Sequence, residues 1–167
     1  NAGKINGVFN MIDSVHASKN SGLFFKYNGA DLIDLSTAYA PSSPWSVGSI
    51  ETSRIYLNRF GYHSYEGRPK IISSQIESQI FNDDATGIVG SVFDNAPAIA
   101  YRYDYLCSVG SVTDTLTGEQ VNNCVHRYDV RLNQWDNWSM GVRPTAWAQY
   151  KDASGNLQLI FGDANGQ

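Results

Sequence analysis

The residues of this chain that could do chemistry are few and scattered. Its three histidines are His16, His63 and His126. His63 and His126 each stand two positions before a tyrosine, in GYHSY and CVHRY. That echo suits either a shared packing position or a pair of rim residues. No third ligand has the spacing that a metal site requires. Adjacent Asp83 and Asp84, in the polar stretch NDDATG, read as a solvated turn, because a glycosidase-type pair needs two carboxyls about 5–10 Å apart across a cleft. The run Asp163-Ala164-Asn165-Gly166 has the opening of a calcium loop without its later acidic ligands, and reads as a turn. Cys107 and Cys124 form no CxxC motif. They can face each other across a hairpin, as a disulfide or as two small buried thiols, and neither has the electropositive neighbours of a nucleophile. No serine sits in a nucleophile elbow, and no glycine-rich phosphate loop precedes a helix. Tyr101, Tyr103 and Tyr105 share one face of a strand-like run. They could stack on sugar rings, but such a stripe is more often a sheet-packing face. The arginines are single and spread out, as solvated or interface residues are. The expectation is a protein that is not an enzyme and has no metal and no cofactor.

Composition narrows the class. Of 167 residues 13 % are aromatic and 17 % charged, with fifteen glycines, and the net charge is −4. Short aromatic-rich runs punctuated by Gly and Asn predict an all-β domain. An acidic balance argues against non-specific nucleic-acid binding, which needs a basic surface. No apolar run approaches the roughly 18 residues of a membrane-spanning helix, so no membrane partner is expected. The start, Asn1-Ala2-Gly3-Lys4, is not followed by the apolar region of a signal peptide; it lacks a Met, and the natural start is expected upstream.

The elements that must position these residues are mostly strands. LFFKY, RIYLN, GYHSY and LQLIFG are short strand signals, and Ala98–Val109 reads as one long strand. Ile88–Phe93 also reads as a strand. Ser73–Phe81 is the one helical signal, with Ile76 and Ile80 on one face and Ser73 or Ser74 as cap. The organising unit is VNNCVHRYDVRLNQWDNW: a strand ending in Tyr128-Asp129, a turn through Asn133, and a return strand carrying Trp135. Matching corners stand at Tyr27-Asn28-Gly29 and Tyr65-Glu66-Gly67. A repeat of roughly 40 to 60 residues is the range of propeller blades. The fold expected is therefore all-β, with three to four incomplete, antiparallel, propeller-like blades and at most one short helix, in a single unit over 1–167. Candidate blades are 1–40, 46–81, 88–139 and 145–167. The polar stretch Gly110–Asn123, with Thr117-Gly118 near its tip, is expected as an exposed contact loop. The expected core is Ile55, Leu57, Ile72, Ile76, Ile99, Trp135, Trp147, Leu159 and Phe161. A closing turn signal at Gly162–Gln167 with no strand after it predicts a piece of a longer polypeptide or of a multi-subunit assembly.

Three segments, RIYLNRFGYHSYEGRPKIISSQIESQI, CVHRYDVRLNQWDNWS and QLIFGDANGQ, resemble the β-propeller structural proteins of tailed-bacteriophage virions. The resemblance rests on Gly61, Tyr65, Gly67, Lys70, Ile72, Ser73 and Ile76, on Tyr128, Asp129, Arg131 and Trp135, and on Phe161, Gly162 and Gly166. It covers Ser46–Gln167 and is weak before it. It implies a structural role in the tail or the head–tail neck, contacts with other virion subunits and residence in the virion. The chain departs from the family in being too short for a closed propeller and in carrying the Gly110–Asn123 insertion. A second reading is a kelch-like or lectin-like module that binds glycan or protein: Tyr128-Asp129 followed by Trp135 has the kelch spacing, but the usual Gly-Gly doublet is absent. A sialidase-like hydrolase is the weakest reading, since its Ser/Asp/Gly/Trp box and arginine cluster are missing. Fold alone does not establish function.

Overall fold

Short runs with a side-chain period of two form strands, and hairpin turns fold each strand back on its predecessor. The computed structural model describes residues 5–11, 14–19, 24–36, 40–81, 88 and 90–166. The first sheet holds β1 (Ile5–Met11), β2 (Ser14–Lys19), β3 (Phe24–Tyr27) and β4 (Leu32–Ser36). The second holds β5 (Gly48–Ile50), β6 (Ser53–Asn58), β7 (Gly61–Tyr65) and β8 (Pro69–Ile71). The third holds β9 (Ala98–Tyr101), β10 (Asp104–Thr113), β11 (Gln120–Asp129) and β12 (Gln134–Ser139). The fourth is the pair β13 (Ala146–Lys151) and β14 (Leu157–Gly162). Every sheet is an antiparallel meander in which neighbours in space are neighbours in sequence. The inner strands of successive sheets adjoin, β5 beside β9 and β9 beside β13. The molecule is thus all-β, built of four antiparallel sheets of two to four strands.

The corners follow from side chains that bond their own backbone. Asn28 Oδ1 accepts from the N–H groups of Ala30 and Asp31, and Asp129 Oδ1 from those of Arg131 and Leu132. Asp152 does the same for Ser154 and Asn156 between β13 and β14. Tyr27-Asn28-Gly29, Tyr65-Glu66-Gly67 and Tyr128-Asp129 all stand where the third strand of a sheet turns into the fourth. Gly67 holds φ +96°, which its turn requires and a side chain would resist.

The main core lies between the second and third sheets. Ile55, Leu57 and Tyr62 meet Tyr105, Cys107, Val109, Cys124 and Tyr128 there. Ile76 and Ile80 join them from the expected helical segment, a 3-10 turn Ser74–Ile76 running into α1 (Glu77–Ile80). Ser73 does not cap this helix. Its hydroxyl accepts the Tyr62 N–H at 3.1 Å. Gly61 lies beneath it at φ +108°, where a Cβ would collide with that hydroxyl. A smaller core of Ala40, Tyr56 and Tyr65 lies on the other face of the second sheet.

Four expectations need correction. Ala98–Val109 is two strands, because Arg102 adopts φ +56° and reverses the chain so that Tyr101 pairs with Asp104. The tyrosine stripe is thereby broken: Tyr105 is buried while Tyr103 is 44 % exposed. In place of the strand expected over Ile88–Phe93, Gly90–Phe93 is a short helix, α2, that buries Val92 and Phe93. Gly110–Asn123 is mostly paired strand, with Val112 opposite Val121 and only the turn around residues 114–119 between them. Of the expected core, Ile55, Leu57 and Ile76 are buried, but Trp135, Trp147, Ile72, Ile99 and Leu159 are half-buried and Phe161 is exposed. Trp135 sits on the last strand of its sheet, and Trp147, Leu159 and Phe161 on the two-stranded fourth sheet, where neighbouring strands are fewer than in a sheet's middle. The turn expected over Asn82–Gly87, with Asp83 and Asp84, lies outside the described residues.

Candidate functional site

The histidines pack inward. His63 on β7 and His126 on β11 are both fully buried, on the third strand of their sheets, and His16 is buried on β2. His126 Nδ1 shares a 2.9 Å hydrogen bond with the Tyr62 hydroxyl, joining the second and third sheets. His16 Nε2 and the Tyr65 hydroxyl stand 3.1 Å apart, joining the first and second. His63 stacks on Tyr56. Burial pushes the His126 imidazole down to about 3 and lowers His63, so both are neutral at pH 7. Cys107 and Cys124 are separate buried thiols, pushed up by burial to about 11 and about 12. A thiol that is protonated at neutral pH is a poor nucleophile. Among the described residues no group of three His, Cys, Asp or Glu gathers as a metal ligand set.

The sequence-predicted motif residues are distributed over the second, third and fourth sheets. Tyr128 and Trp135 pair across β11 and β12 with ring centroids 4.8 Å apart. Trp135 Nε1 donates to the Ile72 carbonyl at 2.8 Å, which pins β12 to the connector after β8. Asp129 is buried; desolvation alone would raise its pKa, but Arg131 and two backbone N–H groups hold it below the usual carboxylate range. Arg127 lies among Asp104, Asp129 and Asp136 at 2.9, 3.5 and 2.7 Å. Each of the three carboxylates is thus ion-paired with Arg127, and Asp129 also with Arg131. Phe161 stacks edge-on to Trp147 at 5.6 Å. Gly162 contributes its carbonyl to Thr145 N–H at 2.8 Å. In the expected contact loop, Thr117 and Gly118 lie at the exposed turn, whereas Gly110 is buried in β10. Asn123, at φ +48°, donates to the Met140 and Gly141 carbonyls.

The site that sequence reasoning missed lies where the inner strands begin. A cleft of about 600 Å³ is lined by Trp45, Asn95, Pro97, Ala98, Arg143, Thr145, Ala146 and Trp147. Trp45 belongs to the 3-10 turn Pro44–Ser46 before β5; Ser43 caps it by accepting the Trp45 N–H at 3.1 Å. Pro97 and Ala98 open β9, and Thr145–Trp147 open β13. Trp147 is held as a wall by donating from Nε1 to the Pro97 carbonyl at 3.3 Å. Trp45 is 67 % exposed. The Arg143 guanidinium lies over Gly110: a Cβ there would stand 3.5–3.6 Å from Cζ, Nε and Nη1. The cleft residues come from three connectors separated by up to a hundred positions. The one available signal is that each connector precedes an inner strand of the repeat. No protein-family model matches the chain, and no curated protein matches it.

Proposed function

We propose that this chain is a non-enzymatic, propeller-like structural module of a tailed-bacteriophage virion, acting in the tail or the head–tail neck through contacts with other subunits. The observation that carries the reading is the locking of sheet to sheet by buried polar and aromatic contacts. Tyr62 to His126, Tyr105 to the Ser46 carbonyl at 2.6 Å and Trp135 to the Ile72 carbonyl join the second and third sheets. Tyr101 to the Leu157 carbonyl at 2.8 Å joins the third and fourth. Such a scaffold presents its turns as fixed surfaces, the property an assembly protein needs. The segment resemblance supplies the virion context. In density-gradient-purified phage particles, mass spectrometry should find peptides of this chain at a fixed ratio to the tail proteins. Recovery only from the particle-free fraction would overturn the reading.

A second reading, a lectin-like or kelch-like binding module, is favoured by the cleft between Trp45 and Trp147. Its size lies in the roughly 300–1,000 Å³ range of small-molecule sites.

A further inference from the structure

The walls of the cleft specify more than a hollow. Arg143 makes no hydrogen bond or ion pair with any described residue, and its Nε is buried without a partner. Among the described residues no carboxylate pairs with this guanidinium, which rests over the Gly110 backbone. Its fork matches a carboxylate held by two parallel N–H bonds. Beside it stand two indoles. Trp147 is fixed through its Nε1, and Trp45 offers an open face. An exposed aromatic face next to polar groups suits a pyranose chair, whose axial C–H groups make one apolar face and whose hydroxyls stand at its edge. Asn95 uses one amide N–H on the Ser91 carbonyl at 3.2 Å and keeps its side-chain oxygen for a hydroxyl. The Thr145 hydroxyl donates to Gly162 at 3.1 Å and can still accept.

We propose that this cleft binds a carboxylate-bearing sugar, with Arg143 taking the carboxylate and Trp45 stacking on the ring. The inference rests on the lectin-like reading and is independent of the virion role, which is tested on particles. A protein carboxylate would satisfy Arg143 as well, but it would leave the open Trp45 face and the two hydroxyl-matching groups without work.

The test is titration of the whole chain with the methyl glycosides of glucuronic acid and of N-acetylneuraminic acid, followed by tryptophan fluorescence and by ligand-observed NMR. The methyl ester of each sugar, sodium acetate and acetyl-aspartate amide serve as comparisons. At least one acidic sugar should bind saturably, and its ester about tenfold more weakly or worse, the loss expected for a charged hydrogen-bonding pair. Arg143→Gln and Trp45→Ala should each reduce binding by a similar factor; because Trp45 is exposed, Trp45→Ala should leave the thermal midpoint unchanged. Absence of binding by both sugars at about 10 mM, a range in which single-ring ligands are detected, would overturn the proposal. So would equal binding of the esters, or competition by acetate or acetyl-aspartate amide that is as strong as the sugar's and insensitive to Trp45→Ala.

Discussion

Tyr62 shows how one side chain joins two sheets. Its hydroxyl is bonded to His126 Nδ1, and its ring lies 4.5 Å from Trp135. Removing the hydroxyl alone leaves a buried imidazole without its partner. Tyr62→Phe should therefore lower stability by about 1–3 kcal/mol in urea unfolding, the cost of an unsatisfied buried group; an unchanged midpoint would remove this bond from the account of the interface. The histidines also set a pH window. The folded pKa of His126 is about 3, below the ordinary 6.5, and that of His63 is lowered too. Below 6.5 the unfolded chain binds protons that the folded chain refuses, so stability is full above 6.5 and falls as pH drops toward 3. The carboxylates Asp114, Asp129 and Asp152 are lowered from 3.8, so their contribution is present above 3.8 and is lost only below it. A urea midpoint that begins to fall near pH 6 marks the histidines; one flat down to pH 4 would contradict their burial as neutral groups.

At the scale of elements, the segment 74–80 works as a bracket between the second and third sheets. Gln75 donates to the Asn133 carbonyl at 3.1 Å, and Gln79 accepts from Asn137 at 2.8 Å. Ser78 and Gln79 both donate to Asp114, whose other oxygen caps the turn by accepting the Leu116 and Thr117 N–H groups. Asp114→Ala removes both roles and should cost about 1 kcal/mol in thermal or urea unfolding, the usual worth of such a cap. No measurable change would mean that the turn is held by its backbone alone. This helix was legible because Ile76 and Ile80 fall on one face. The break inside Ala98–Val109 was not, because alternation runs unbroken through YRYDYL and the left-handed residue of the turn is an arginine rather than Asn or Gly. The arginine is steadied by stacking over Tyr101 at 5.2 Å. The apolar run at Ile88–Phe93 is too short for periodicity to separate helix from strand. Gly110–Asn123 misled through its polarity: β10 and β11 extend with Ser111 and Asn122 exposed, while Val112, backed by half-buried Val121, is the one apolar side chain fully buried in it. The corners after each third strand were readable because their chemistry is local. The cleft was not, since its walls meet only when three sheets stand side by side.

Across the whole molecule the sheets are unequally secured. The second and third share a continuous core, with Leu57, Tyr62, Tyr105, Cys107 and Cys124 fully buried. The fourth sheet is a two-stranded hairpin whose β13 is exposed at every position except half-buried Trp147. A hairpin alone is marginal in water, so its order depends on what ties it to its neighbour. The described ties are Trp147 to the Pro97 carbonyl and Tyr101 to the Leu157 carbonyl. Regions with few buried contacts open at a lower free energy than the core. Amide hydrogen exchange followed by mass spectrometry should therefore find Ala146–Lys151 and Leu157–Gly162 exchanging well before β6, β7, β10 and β11. Trp147→Ala should speed exchange in the fourth sheet further while leaving the second and third sheets as they were. Equal protection across all these strands, or a Trp147→Ala variant that loosens the second sheet as much as the fourth, would show that the sheets open together and that the hairpin is not a separable unit. In that case the cleft between Trp45 and Trp147 would move as a rigid whole. Under the unequal arrangement one wall, Trp147 with Thr145, rides on the less protected sheet, so an occupant that bridges both walls should raise protection in β13 and β14 more than in β9.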